Sequence, residues 1–188
     1  DIGYGDPAIV LDKNTGSLLC IFASGNGLWQ SNEEDLMRIK ISRSVDNGKI
    51  WSPPADITDQ IYGKNCQDER RRHWYGAFAA SGRALQLRDG RIMFAMAVRT
   101  TPDWGGSLNN YVCYSDDGGV TWDVSTNAAD LDGDEAKLIE LNDGTILMSI
   151  RNREKGKRKF CLSKDRGETW GKSYLQQDIQ VGSLIVMR

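Results

Sequence analysis

The chain has little histidine, little proline and no long hydrophobic run. Its one histidine, His73, gives no support to histidine-based nucleophilic catalysis or to histidine-rich metal sites, and it reads as a surface-loop residue. No apolar stretch approaches the length of a membrane-crossing helix, and the start, DIGYGDPAIV, lacks the character of a secretory leader. Four cysteines (Cys20, Cys66, Cys113, Cys161) are widely spaced without a metal-ligand pattern, and they read as free, part-buried thiols. The formal net charge of −2 argues against a general nucleic-acid binder. Asp130, Asp132 and Asp134 open like a calcium loop, but Glu135 stands where that loop needs glycine and Leu141 where it needs glutamate. No metal or other cofactor is expected.

What the chain does have is 20 glycines and 6 tryptophans in 188 residues, a composition that suits short strands joined by tight turns. One pattern, S-x-D-x-G-x-x-W, occurs three times: Ser44, Asp46, Gly48, Trp51; Ser115, Asp117, Gly119, Trp122; and Ser163, Asp165, Gly167, Trp170. Four such fixed positions coincide by chance about once in 10⁵ to 10⁶ starting points, so three hits mark a true repeat. The pattern reads as a hairpin turn. The Asp accepts turn amides, the Gly supplies positive φ, and the Trp fills a seam between packed sheets. These roles are structural.

A second repeat precedes each box: residues 8–23, 84–97 and 138–150 each hold an apolar strand, an Asp/Asn-Gly type turn and another apolar strand. Each unit is then a four-stranded meander, with box serines 71 and then 48 residues apart. That period, with no convincing helical periodicity anywhere, predicts an all-β chain of the β-propeller class. The units are expected over about 6–56, 80–127 and 134–175, with the first strand of another at 178–188. Three units and one strand leave apolar edges, so the remainder of the same polypeptide is expected to close the propeller.

Alternate connections of a meander alternate sides, which places the Gly90 and Gly144 turns and all three boxes on one face. The opposite face carries the start of each inner strand and the longer loops, at 24–37, 58–83, 99–110 and 152–159. Glu135 and Arg151, 16 residues apart, are expected to meet there on the inner rim; alone, such a pair reads as a rim salt bridge. Arg70, Arg71 and Arg72, with Lys155, Lys157, Arg158 and Lys159, are expected to tilt this face positive. Trp29, Trp74 and Trp104 lie on its loops, either to stack on sugar or to pin the loops.

Repeated Asp boxes followed by DEAKLIELNDGTILMSIRN resemble the bacterial exo-α-sialidases (neuraminidases), and GYGDPAIVLDKNTGSLLCIF and SGRALQLRDGRIMF look like their middle blades. The resemblance covers nearly the whole chain. It implies a six-bladed propeller in the parent protein, a secreted, periplasmic or cell-surface location, and sialic-acid-terminated glycans as partners. It also implies a retaining hydrolase in which a tyrosine, activated by a glutamate, attacks the anomeric carbon, an aspartic acid protonates the leaving group, and three arginines grip the substrate carboxylate. By resemblance Glu135 matches that glutamate and Arg151 the second arginine. Asp6, at a strand start that looks like the family's second blade, and the loop residue Trp104 are lesser candidates for substrate contact. The first arginine and the acid would precede this chain, and the third arginine and the tyrosine would follow Arg188. None of Tyr4, Tyr62, Tyr75, Tyr111, Tyr114 or Tyr174 fits the nucleophile's context, so the 188 residues alone are expected to be inactive. Lys137 departs from the family pattern, which has an uncharged polar residue there. The rival readings are a non-catalytic propeller that binds glycans or proteins and an Asp-box glycosidase using two carboxylates.

Overall fold

The computed structural model describes residues 3–79, 82–153 and 157–180. A first antiparallel meander is formed by β1 (Gly3–Asp12), β2 (Ser17–Gly25), β3 (Arg38–Ser44) and β4 (Ala55–Asp56). A short helix α1 (Thr58–Ile61), a 3-10 turn (Arg71–His73) and strand β5 (Gly76–Ala79) follow, then β6 (Gly82–Arg83) and β7 (Leu85–Gln86). Strands β5 and β7 pair in succession with β8 (Ile92–Arg99), and β8 pairs with β9 (Leu108–Ser115) and β9 with β10 (Asp123–Val124). Last come β11 (Asp130–Glu140), β12 (Ile146–Asn152), β13 (Lys157–Ser163) and β14 (Tyr174–Gln180), paired in that order. The structure is nearly all β, as the repeat implies. Of the stretch 178–188, expected to open a further unit, residues 178–180 belong to β14, which pairs with β13, and residues 181–188 lie outside the described residues.

Burial explains the layering. Every residue of β8 is buried, because one face meets the first meander and the other meets the β11–β12 hairpin. On one side Leu19, Ile21 and Ile39 pack against Phe94 and Met96; on the other, Met93 and Ala95 pack against Ile146, Met148 and Ile150. All four cysteines are free thiols, three of them buried.

Each box serine pairs with a residue at the start of the second strand of its unit, the first or second position: Ser44 with Leu18, Ser115 with Ile92, Ser163 with Ile146. Boxes and tight turns therefore share one end of the sheets, and Gly133 pairs with Asn152 at the other. Within the boxes, the serine hydroxyl donates to the aspartate at 2.8, 2.8 and 2.7 Å and accepts the glycine N–H at 2.9, 2.8 and 2.9 Å. The aspartate in turn accepts the N–H of Ile50, Thr121 or Thr169, each at 2.9 Å. The glycines hold φ of 84°, 86° and 84°, where a side chain would be strained. Trp122 and Trp170 are buried at the two seams, while Trp51 is half-buried.

The seams carry a repeated polar latch. Gln60 Oε1 accepts the backbone N–H of Trp122 at 2.8 Å, and Asn127 Oδ1 accepts that of Trp170 at 3.0 Å. In both cases the residue leaving one unit's last strand holds the box of the next.

Strand β11 does double duty. Asp130 and Gly133 pair with Asn110 and Leu108 of β9, and from Ala136 onward the strand pairs with β12. It begins at Asp130, five residues before Glu135. Gly133 is the crossing point: a Cβ there would lie 1.8 Å from Asn110 Oδ1 and 2.6 Å from Ile150 Cγ2.

Residues 58–79 are more ordered than a rim loop. Tyr62 and Trp74 are buried, and the Trp74 ring lies 4.7 Å from that of Tyr111, so Trp74 pins its segment. Arg71 pairs with Asp123 at 2.9 Å and Arg70 with Asp68 at 2.9 Å, which offsets the positive tilt expected of these arginines. Arg72 donates to the Cys66 carbonyl at 2.7 Å, and His73 is exposed. Lys155 lies outside the described residues.

Candidate functional site

The hairpin of β11 and β12 brings Glu135 and Arg151 together across one bulged register step. Arg151 Nη1 donates to both carboxylate oxygens of Glu135, at 2.9 and 2.7 Å. Its Nε and Nη2 make no hydrogen bond among the described residues, and the side chain is 50% exposed. One edge of the guanidinium is thus left to meet a planar anion in the two-pronged manner that arginine favours.

The charges around this pair are unequal. Partial burial pushes Glu135 upward, but the Arg151 hydrogen bonds and charge outweigh it and hold the carboxyl below its ordinary value. Asp134 is shifted the other way, by burial and then by the Glu135 charge. Burial lowers Lys137 and Arg158, and the Glu135 charge opposes both shifts. Four cations (Lys137, Arg151, Arg153, Arg158) therefore surround two carboxyl groups, and the field favours an anionic ligand. Lys137 adds to that field.

Asp130 and Asp132 face other work: Lys159 Nζ lies 3.0 Å from Asp130 Oδ1 and 2.7 Å from the Asp132 carbonyl. Among the described residues no three His, Cys, Asp or Glu side chains gather as a metal site. Asp6 stands at a bulge in β1 with φ of 51°, two residues before Ala8. Ala8 pairs with Gly82, and a Cβ added at Gly82 would lie 3.1 Å from Lys137 Nζ, so β6 lies between β1 and the Lys137 side chain of β11.

Trp104 connects to the pair through a residue that the sequence reading passed over. Arg153 donates to the carbonyls of Gly105, at 2.9 Å, and Gly106, and its charge reaches Asp134. Arg99 is its counterpart one unit earlier. Each arginine stands seven residues after the residue paired with its box serine, Ile92 or Ile146, and each reaches back to the loop of the preceding unit. Arg99 Nη1 donates to Leu28, Trp29 and Ser31 carbonyls, all at 3.0 Å, while Nε and Nη2 hold Thr101 at 3.1 Å and Pro102 at 2.7 Å. The shared register of the two arginines was the available signal.

Comparison with known proteins agrees with this architecture. Residues 3–184 match the BNR repeat-like domain. The chain is 27% identical over 201 residues to a sialidase of Bacteroides fragilis strain YCH46, covering 99% of this chain and 35% of that protein. It is 30% identical over 162 residues to a sialidase of Paraclostridium sordellii, covering 84% of this chain and 39% of that one. A solved Hadza microbial sialidase superposes with a TM-score of 0.77 at 27% identity, over 91% of this chain and 33% of the other. The chain spans between 33% and 39% of the length of these relatives. The sheets are those of a sialidase-type β-propeller, and no closed ring is formed among the described residues. No helix among the described residues is long and apolar enough to cross a membrane. By its match along nearly its whole length, the chain belongs to the BNR repeat-like domain family.

Proposed function

We propose that the protein containing these residues is a retaining exo-α-sialidase that releases terminal sialic acid from glycans outside the cytoplasm. The observation that carries the reading is the Glu135–Arg151 contact. It puts an ionised carboxylate beside an arginine whose Nε and Nη2 edge is uncommitted among the described residues.

In this reading Arg151 takes the substrate carboxylate in two parallel hydrogen bonds. Glu135 accepts the phenolic proton of a tyrosine as that oxygen attacks the anomeric carbon, and an aspartic acid protonates the departing glycosidic oxygen. Water then cleaves the tyrosyl-sugar bond with net retention. Tyrosine suits the step, because a neutral nucleophile approaches an anionic sugar without charge repulsion. Asp6, on the same rim, is assigned to a substrate hydroxyl. The nucleophile and the acid come from outside residues 1–188 in a six-bladed ring, and the chain alone is inactive.

The test is release of sialic acid from a fluorogenic sialoside by the full-length protein, with proton NMR of the first-formed anomer. Release of the α-anomer supports the reading; binding without release points to a non-catalytic propeller.

One observation favours a second reading. Adjoining Asp134 and Glu135 are shifted in opposite directions, the pattern of a carboxylate acid–base pair. If two carboxylates do the chemistry, Asp134→Asn abolishes turnover. With a tyrosine nucleophile, that variant keeps measurable activity.

A further inference from the structure

We infer that Trp104, backed by Trp29, is a stacking platform for the neutral sugar next to the residue that is cleaved, and so governs which glycan is accepted. The inference rests on the sialidase reading for the identity of that neighbouring residue. The platform itself rests on its own geometry.

Trp104 is 68% exposed, although a tryptophan offers one of the largest apolar surfaces in the chain. Loop pinning does not account for it, because other groups already do that work. Arg99, only 5% exposed, ties residues 28–31 to residues 101–102 through five carbonyl contacts. Arg153 holds Gly105 and Gly106 from the next unit. Trp29 does the packing, with the Arg99 and Arg153 guanidinium carbons each 5.8 Å from its ring centre. Trp104 touches this assembly through one tilted ring contact, 6.1 Å between centroids, and leaves most of its surface to solvent.

The loop that carries Trp104 is thus clamped on both sides, at 101–102 and at 105–106, before any ligand arrives. Such preorganisation reduces the ordering cost of binding. A pyranose presents a face of C–H groups that stacks on an indole ring, and it needs no charge to do so. Arg153 stands two residues beyond Arg151 and holds the Trp104 loop, so the platform adjoins the Glu135–Arg151 pair. An uncharged indole face takes the C–H face of a neutral sugar rather than the anionic residue held at that pair.

The experiment uses the full-length protein and compares kcat/KM on sialyllactose with kcat/KM on methyl sialoside, which lacks the neighbouring sugar. In Trp104→Ala the ratio of the two is expected to fall at least fivefold, and in Trp104→Phe it is largely kept. An unchanged ratio in Trp104→Ala overturns the platform while leaving the sialidase reading intact. If the wild-type protein hydrolyses neither sialoside, the sialidase reading has failed, and tryptophan fluorescence during titration with lactose decides the platform separately. A lactose-dependent change present in wild type and absent in Trp104→Ala supports it; no change in wild type overturns it.

Discussion

Arg99 and Arg153 occupy the same register position in successive units, and each uses its guanidinium to hold backbone carbonyls of the loop before it. The site therefore has a floor of paired strands and walls of loops fixed by arginine. Buried cations bonded to carbonyls are stable only while those acceptors remain in place. The loops and the clamps should fail together.

Arg99→Met removes five carbonyl contacts from a buried position. It should destabilise the protein by about 3 kcal/mol, since several charge-assisted bonds are lost and their acceptors are left without partners. Limited proteolysis should then cut first within 26–37 and 99–107. Unaltered cleavage in these loops would mean that something other than Arg99 holds them.

Asn127→Ala unlatches the seam. It removes the acceptor for the Trp170 N–H and the donor to the Trp170 carbonyl, at 3.0 and 2.9 Å. A buried amide left unsatisfied costs about 1–3 kcal/mol, measurable as a shifted urea midpoint. A midpoint equal to wild type would show that water replaces the side chain without loss.

Gly133→Ala tests the crossing of β11. The added carbon would overlap Asn110 Oδ1, so either the strand or the Asn110 side chain, which is bonded to the Met96 and Asp134 carbonyls, must shift. Glu135 lies two residues further along the same strand. Overpacking of this kind costs about 1–3 kcal/mol or more, and activity should fall beyond what the stability loss explains. Full activity in a stable Gly133→Ala protein would show that the crossing does not position Glu135.

The box carboxylates predict an acid dependence. Burial raises Asp117, but hydrogen bonds from Thr121, Ser115 and Val120 outweigh it and hold the carboxyl at about 2, against an ordinary 3.8. A carboxyl with a lower pKa when folded contributes stability that is fully present above about pH 4. That stability is lost as the pH falls through the folded value. Asp117→Asn should lower stability at pH 7 and flatten its decline between about pH 4 and pH 2. Parallel stability curves for the two proteins would contradict this.

Local chemistry was legible in the sequence. The boxes reveal themselves because Ser44, Asp46 and Gly48 complete their hydrogen bonds within five residues, and the other two boxes repeat the pattern. Glu135 and Arg151 were legible because one hairpin suffices to bring them together. Contacts between units were harder to read. Gln60 with Trp122 and Arg99 with Trp29 depend on how whole sheets pack, which strand periodicity does not encode. Arg71 looked like part of a basic run until Asp123, 52 residues away, proved to be its partner. Gly133 gave no sign of the double role of β11, because its closeness to Asn110 and Ile150 arises only when two neighbouring strands meet.

In the proposed mechanism Glu135 takes the nucleophile's proton beside an arginine that binds the substrate carboxylate. The measurement is kcat/KM of full-length Glu135→Gln on a fluorogenic sialoside, with its thermal midpoint alongside. A loss of about a hundredfold or more, typical of removing a general base, is expected with the fold retained. Wild-type turnover by a folded Glu135→Gln protein would contradict it.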